Sequence, residues 1–307
     1  MSTRALIVDP SAPGGIGFGD LADPVAGPGQ LLVDVLHASL NYADINDATS
    51  GRVPVGAPLG LDAAGVVLRE AADGSGPAAG TRVVLFAQGV FAERVAVDVS
   101  AVAEVPDGVG LAEAAALPTA GLAALRSLRA AGVAPGKRVL VTGASGGVGR
   151  YAVQLGARAG AHVIASVGAP ERGEGLADAG AHEVVVGLDD VKEPVDIVVE
   201  AVGGPHLVRA WELLAPDGSL QSVGWTSGKP AVFPPYATVG PRKTLMSYVN
   251  EFGAAGDLAE LVRLAAEGAL VPEIGWRDSW ERFAEAAEAL RGRRVRGKAV
   301  FDLGPQG

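Results

Sequence analysis

A glycine-dense turn carries the clearest chemical pattern in this sequence. Residues 137–150 read KRVLVTGASGGVGR, in which an apolar strand runs into a turn and then into a helix. Gly143 permits a tight turn, Gly146 lacks the side chain that would block a pyrophosphate, and Gly149 lets the helix lie close to the sheet. This order of strand, turn and helix predicts a dinucleotide-binding site.

The phosphate contacts of this site are expected at the beginning of the helix. The backbone N–H groups of Gly146, Gly147 and Val148 should face the phosphates, beside Ser145, because the positive end of the helix dipole lies there. A glycine-rich loop that binds no ligand is the alternative. The strand–helix units that follow downstream favour the dinucleotide.

The second strand of this unit indicates which dinucleotide binds. In proteins that bind NAD, an acidic residue at the tip of this strand holds the ribose hydroxyls. Here the segment 165–172 reads ASVGAPER, and no carboxylate occupies the strand tip. Ser166 can donate a hydrogen bond to a 2′-phosphate and Arg172 can pair with its charge, so NADPH is predicted. The alternative is that Arg172 is an exposed helix residue and that Glu171 contacts the ribose.

The pattern of apolar residues predicts the elements that position these groups. Strands separated by Gly and Pro are predicted in the first third of the chain, at 4–9, 30–37, 63–69, 82–86 and 91–97. Helices are predicted at 111–117 and 121–131, with a break at Pro118. Strands and helices then alternate at 138–142, 147–159, 163–166, 174–179, 184–186, 196–199, 207–214 and 219–223, before helices at 257–267 and 280–291 and a strand at 298–302.

This alternation predicts an α/β fold in two domains. Strands that alternate with helices form a doubly wound parallel sheet with right-handed crossovers. We therefore expect a β-rich domain at residues 1–115 and a Rossmann domain at 116–247. Residues 248–307 are expected to return to the first domain.

Several motifs together resemble a known family. Besides the glycine turn, the matching segments are 39–44 (SLNYAD), 60–66 (GLDAAGV), 116–122 (ALPTAGL), 218–224 (GSLQSVG) and 296–300 (RGKAV), in the order that the family has them. Over nearly its whole length the chain resembles the zinc-independent quinone oxidoreductases, which include zeta-crystallin. These belong to the medium-chain dehydrogenase/reductase superfamily and are relatives of enoyl reductases.

The resemblance implies a GroES-like catalytic domain, a Rossmann domain and a homodimer. Asn41 matches a family asparagine that lies near the nicotinamide amide and the substrate carbonyl, and Asp44 matches an aspartate of the same loop. In the absence of zinc, the Asn41 amide or the Tyr42 hydroxyl could stabilise charge on the substrate oxygen. A packing role is the alternative for Tyr42.

Further positions are assigned to the cofactor by the same resemblance. Thr119, Val202, Gly203, Val223 and Gly224 fall at turns or strand ends that face the nicotinamide half of the cofactor in this family. Lys298 is expected to approach the cofactor from the closing strand, and a solvated surface lysine is the alternative.

No metal is expected. Zinc-bearing relatives have a ligating histidine where this chain has Leu61, and leucine cannot bind a metal. The sequence has no Cys, and its four His residues show no spacing typical of ligands.

Charge and hydropathy limit the classes of partner that the protein is expected to bind. The 307 residues carry a net charge of -10, which disfavours nucleic acid and anionic lipid. The apolar run at the N-terminus is too short for a signal peptide and no run is long enough to span a membrane. A cytoplasmic protein that acts on a small molecule is therefore expected.

Together these expectations describe an NADPH-dependent reductase. It would deliver a hydride to an electron-poor carbon conjugated to a carbonyl, in a quinone, an enone or enal, or an enoyl intermediate. An enoyl-thioester reductase is one alternative, for which Arg242, Lys243 and residues 291–294 are the basic groups that could hold a phosphopantetheine arm. A non-catalytic NADPH-binding protein with a structural or regulatory role is the other.

Overall fold

The computed structural model describes residues 2–304. The described residues form two compact units: unit 1 comprises residues 2–119 and 251–304, and unit 2 comprises residues 120–250. Within the described residues, no helix is both long enough and apolar enough to cross a bilayer.

Unit 1 begins with the short strands of the first third of the chain. They are β1 (Ser2–Val8), β2 (Ile16–Ala22), β3 (Gln30–Leu40), β4 (Asp62–Arg69), β5 (Arg82–Phe86), β6 (Arg94–Asp98) and β7 (Val102–Glu104). β1 and β2 form an antiparallel hairpin. The sequence did not predict β2, whose residues IGFGDLA include two glycines and an aspartate, types that are depleted in strands.

Three helices follow from local signals. α1 (Tyr42–Ser50) begins after the extended residue Asn41 and is followed by Gly51, whose φ of 72° is in the left-handed region. α2 (Leu111–Ala115) is short, and α3 (Pro118–Ala130) begins at Pro118. Proline is favoured at the first position of a helix, and the break predicted at this residue is confirmed.

Unit 2 is built around a parallel sheet. Its further elements are β8 (Arg138–Thr142), α4 (Gly147–Arg158), β9 (His162–Val167), β10 (Glu183–Val186), β11 (Val195–Glu200), α5 (Pro205–Leu213), β12 (Leu214–Ser222) and β13 (Thr244–Ser247). The strand order is β10-β9-β8-β11-β12-β13, and every neighbouring pair is parallel. This is the doubly wound α/β architecture predicted from the alternation of strands and helices.

One predicted helix of unit 2 is wrong. Residues 174–179 form turns, preceded by a 3-10 helix at Pro170–Gly173. Gly175 and Gly180 have φ values of 73° and 106°, which an α-helix cannot contain. The apolar spacing of this segment therefore gave a misleading helical pattern.

The end of the chain completes the main sheet of unit 1. It contributes α6 (Ala255–Ala266), β14 (Ile274–Ser279), α7 (Phe283–Arg291) and β15 (Lys298–Asp302). β15 lies between β14 and β3 in a sheet of order β14-β15-β3-β4-β5-β7, with β6 also paired to β3. Because β15 is antiparallel to β3, with Ala299 opposite Leu40, the first residue of β15 is brought to the end of β3 and the beginning of α1.

Candidate functional site

The turn between β8 and α4 in unit 2 has no room for side chains at its critical positions. A Cβ atom on Gly149 would lie 2.5 Å from both the Cα of Ala144 and the carbonyl oxygen of Gly143. Gly143 has a φ of 60°, in the left-handed region. Both glycines are therefore required by the backbone path.

Three backbone N–H groups at the beginning of α4 are available to a ligand. The N–H groups of Gly147, Val148 and Gly149 meet no hydrogen-bond acceptor within residues 2–304. Gly146 departs from the prediction, because its N–H donates to the carbonyl oxygen of Gly143 at 3.0 Å as the turn closes. The pyrophosphate of a dinucleotide fits the other three groups, since the helix N-terminus carries partial positive charge.

Arg172 reaches the same turn from the chain segment after β9. Its Nε donates to the Oγ of Ser145 at 2.9 Å, and Ser145 is buried. The guanidinium therefore lies beside the glycine turn. Ser166 is also buried, but its Oγ donates to the carbonyl oxygen of Gly187 at 2.8 Å. In this structure the Ser166 hydroxyl proton is committed to the backbone, whereas Arg172 brings a positive charge to the turn.

A buried carboxylate, Glu200, organises the next turn of unit 2. It accepts hydrogen bonds from the Thr142 hydroxyl at 3.0 Å and from the N–H groups of Val202 and Gly203 at 3.1 and 2.8 Å. Burial raises the pKa of Glu200. The Thr142 hydroxyl also accepts a hydrogen bond from the N–H of Ala201 at 3.0 Å, so the ends of β8 and β11 are joined side by side.

The segment after β12 packs against this turn. The N–H groups of Val223 and Gly224 donate to the carbonyl oxygen of Glu200 at 2.8 and 3.2 Å. A Cβ atom on Gly224 would lie 3.0 Å from the carbonyl oxygen of Ala201, and one on Gly203 would lie 2.6 Å from the Trp225 ring. The structure thus brings the predicted cofactor positions 202, 203, 223 and 224 together at the ends of neighbouring strands.

Unit 1 contains a buried polar cluster, here called the Asp62 cluster, made of Asp62, Lys298, Asn41 and Thr119. Asp62 has no exposed surface and Lys298 is 3% exposed, so Lys298 is not a surface residue. The Lys298 Nζ donates to Asp62 Oδ2 at 3.1 Å and to Asn41 Oδ1 at 2.5 Å. Lys298 is therefore an ion-pair partner held in the interior.

Asn41 and Thr119 donate the other hydrogen bonds that the Asp62 carboxylate accepts. Asn41 Nδ2 donates to Asp62 Oδ2 at 3.0 Å, while the Thr119 N–H and hydroxyl donate to Asp62 Oδ1 at 2.9 and 2.5 Å. Asn41 thus accepts from Lys298 through its oxygen and donates to Asp62 through its nitrogen. These two contacts fix the orientation of the Asn41 amide.

Tyr42 and Asp44 lie on α1, just after Asn41 in the sequence, and each has a definite hydrogen-bond partner. The Tyr42 hydroxyl donates to the carbonyl oxygen of Leu290 at 2.6 Å. The Asp44 carboxyl is buried, and its Oδ2 accepts the Asn41 N–H at 2.7 Å. Burial, followed by the nearby charge of Asp62, raises the pKa of Asp44 to about 8.

The sequence did not indicate Asp62 and Glu200 as site residues. Asp62 is the first residue of the buried strand β4, and Glu200 is the last residue of the buried strand β11. The signal in the sequence was an ionisable residue at the end of a mostly apolar strand, because a buried charge requires partners. The residues that supply those partners are 21 or more positions away or follow in the next turn.

Comparison with known proteins identifies the family. A model described as alcohol dehydrogenase GroES-like domain matches residues 27–107, and one described as zinc-binding dehydrogenase matches residues 176–301. Prostaglandin reductase-3 from Bos taurus is 31% identical over 323 residues, covering 93% of this chain and 84% of that protein. Erythronolide synthase EryA2 from Saccharopolyspora erythraea is 35% identical over 218 residues, covering 64% of this chain. This chain matches only 6% of that synthase.

A solved structure agrees with these matches. The quinone oxidoreductase from Coxiella burnetii superposes with a TM-score of 0.87 at 26% identity, covering 99% of this chain and 100% of that one. The chain belongs to the medium-chain dehydrogenase/reductase superfamily, in its quinone oxidoreductase-like branch. It is an oxidoreductase of a family that uses a nicotinamide cofactor. Within residues 2–304, no group of three or more His, Asp or Glu residues is placed to hold a metal ion.

Proposed function

We propose that this protein is an NADPH-dependent reductase that transfers a hydride to a quinone or to an α,β-unsaturated carbonyl compound. The observation that carries the proposal is the set of three unpartnered N–H groups, of Gly147, Val148 and Gly149, at the beginning of α4. They match the pyrophosphate of a dinucleotide, and Arg172 adds positive charge beside them. When bound, the nicotinamide supplies the hydride.

In this proposal the Asp62 cluster of unit 1 supplies oriented polar groups to the reaction. Asn41, Thr119 and Lys298 are proposed to contact the cofactor or substrate, and Asp62 is proposed to hold all three in place. Such preorganised groups stabilise developing charge without rearrangement during the reaction. No metal is proposed, because Leu61 stands at the position of the zinc-ligating histidine of related enzymes and offers no ligand atom.

A direct assay tests this function. The purified protein is mixed with NADPH or NADH and with quinones, enals, enones or enoyl-CoA, and oxidation of the cofactor is followed by its absorbance. We expect turnover with NADPH and with at least one conjugated acceptor. Binding of NADPH without turnover of any acceptor would instead favour a non-catalytic role.

Arg172 is predicted to set the preference for NADPH over NADH. In Arg172→Ala, loss of a charged contact worth about 1.5–3 kcal/mol should raise the KM for NADPH by about 10- to 100-fold. The KM for NADH should change much less, because NADH lacks the 2′-phosphate. Arg209→Ala is the control, since Arg209 lies on α5 and pairs with Glu212. Equal effects of Arg172→Ala on both cofactors would contradict a 2′-phosphate contact.

An enoyl-thioester reductase is the second candidate. The match to erythronolide synthase EryA2, at 35% identity over 218 residues, favours it. The chain spans 6% of that synthase, so the activity of the whole synthase is not transferred to it. A higher kcat/KM with an enoyl thioester than with the corresponding simple enone would support this candidate, and equal values would favour the broader carbonyl acceptor.

We also propose a homodimer formed through the edge of the unit 2 sheet. β13 ends the strand order and all four of its residues are exposed, including Leu245 at 44% and Met246 at 41%. An open edge with apolar side chains can pair with another strand, and a two-fold axis would place β13 against its own copy. The dimer would have about twice the chain mass of 30.8 kDa.

A charge on the edge strand is predicted to weaken the dimer. Leu245→Lys should raise the dimer dissociation constant at least about tenfold, because burial of the ammonium group would cost more than 1.4 kcal/mol. Analytical ultracentrifugation measures this constant. Leu68→Lys, at a residue 47% exposed on β4 of unit 1, is the matched control and should leave the dimer intact. A wild-type monomer, or equal dissociation in both variants, would contradict the proposed interface.

A further inference from the structure

A carboxyl oxygen of Asp44 is buried without a hydrogen-bond partner. Asp44 is 2% exposed, and its Oδ2 accepts the backbone N–H of Asn41 at 2.7 Å. Its Oδ1 meets no donor or acceptor. Buried polar side-chain atoms are nearly always hydrogen-bonded in folded proteins, so this oxygen requires an explanation.

A small cavity adjoins this carboxyl. It has a volume of about 10 Å³, and Asp44, Asp47, Leu61 and Gln88 are among the residues that line it. This volume corresponds to a single water molecule. Leu61 offers no polar atom, whereas Asp47 and Gln88 do, and Gln88 is exposed to solvent. Asp47 is three residues after Asp44 on α1, so the two carboxyls share a helix face.

Burial and the neighbouring carboxylate of Asp62 favour a neutral Asp44, and their effect exceeds the opposing effects of Lys298 and of the Asn41 hydrogen bonds. Lys298 forms its ion pair with Asp62 at 3.1 Å and is shared with Asn41, so Asp44 has no cation of its own. Burial and the charge of Asp62 raise the pKa of Asp44 to about 8. A carboxyl that stays protonated at neutral pH can donate a proton from within a protein. A proton on Oδ1 would also convert the unpartnered acceptor into a donor, on a residue that lines a water-sized space.

We propose that Asp44 supplies the proton that the substrate takes up during reduction, through one water molecule in the cavity beside Leu61. This inference rests on the proposed reductase function. Hydride addition leaves the substrate with one extra electron pair and a negative charge. The Asp44 Oδ1–H bond then breaks, its proton passes to the cavity water, and that water gives a proton to the substrate anion. The resulting Asp44 carboxylate regains a proton from solvent along Asp47.

Infrared spectroscopy of the full chain tests whether Asp44 stores a proton. The carbonyl stretch of a protonated carboxyl group is recorded without substrate, below and above pH 8. We expect a band that disappears as the pH rises through about 8 and that is missing in Asp44→Asn at every pH. Asp34→Asn is the matched control, because Asp34 lies on β3 outside the cavity and burial also raises its pKa. A wild-type protein without a titrating band that Asp44→Asn removes would overturn the inference.

Kinetics tests whether the stored proton is used. Asp44→Asn keeps an oxygen that can accept the Asn41 N–H but cannot supply a proton, so turnover should fall by about 100-fold while cofactor affinity stays unchanged. Asp34→Asn should keep wild-type turnover. Wild-type turnover in Asp44→Asn would overturn the proton-supply role even if the infrared band is present. If the wild-type protein itself reduces no acceptor, the proposed function fails, and the two failures are thereby distinguished.

Discussion

Replacing Lys298 with Met is expected to destabilise unit 1 by about 3–5 kcal/mol. The substitution keeps the apolar length of the side chain but leaves the fully buried Asp62 carboxylate without its cation. It also removes the donor to Asn41 Oδ1, so the orientation of this amide is no longer fixed. Denaturant unfolding of wild type and variant measures the change.

A double-mutant cycle separates the ion pair from packing. Asp62→Asn removes the carboxylate charge, and the double variant Asp62→Asn with Lys298→Met has no buried charge at these two positions. We expect the double variant to be more stable than the sum of the two single changes predicts, because each single change leaves one charge unpaired. Additive effects, or a loss below about 1 kcal/mol in Lys298→Met, would mean that the buried pair is not formed.

Replacing Asp44 with Asn is expected to stabilise the protein, increasingly so as the pH rises. The folded state holds a proton on Asp44 up to a pKa of about 8, whereas the unfolded chain releases it near the ordinary aspartate pKa of 3.8. Between these two values the unfolded state binds fewer protons, so the free energy of unfolding falls by about 1.4 kcal/mol per pH unit. Below the lower value both states are protonated, and above the upper value the loss is constant.

The difference in unfolding free energy between Asp44→Asn and wild type separates the titration of Asp44 from that of all other groups. Asn resembles the protonated carboxyl in shape but does not ionise, so the gain in Asp44→Asn should grow to a few kcal/mol at about pH 8 and then level off. Thermal or denaturant unfolding at several pH values checks this. A variant less stable than wild type at pH 8, or a gain independent of pH, would contradict a protonated Asp44. Together with the expected loss of turnover, the result would be an exchange of activity for stability.

Local patterns explain why part of the molecule could be predicted from the sequence. The strand, glycine turn and helix at 137–150 form one contiguous unit, so the roles of Gly143 and Gly149 followed from neighbouring residues. The nearly continuous apolar character of β8, β9 and β11 likewise indicated strands buried on both faces. Local signals failed at residues 174–179. A helix was predicted there, but the segment forms turns that contain a glycine with positive φ.

The candidate site was predicted less completely because its contacts are not local. Lys298 and Asp62 are 236 residues apart, and the pairings of β15 with β3 and of β3 with β4 bring them together. From the sequence, Lys298 could therefore be either a cofactor contact or a surface residue, and Asp62 was not indicated. β13 was missed because a four-residue exposed strand has no hydrophobic period to detect. The Ser166 hydroxyl was assigned to a phosphate because its acceptor, the carbonyl of Gly187, cannot be inferred from residue type.

Transfer of deuterium from labelled cofactor tests the central claim most directly. NADPH carrying deuterium at the transferable position of the nicotinamide is incubated with the protein and with an enone or quinone that it reduces, and the product is analysed by mass spectrometry. For an enone we expect deuterium on the β-carbon of the conjugated double bond, and we expect the hydrogen added to the α-carbon to come from solvent. Cofactor that stays reduced with every conjugated acceptor, or product whose new carbon-bound hydrogens all come from solvent, would contradict a hydride-transferring reductase.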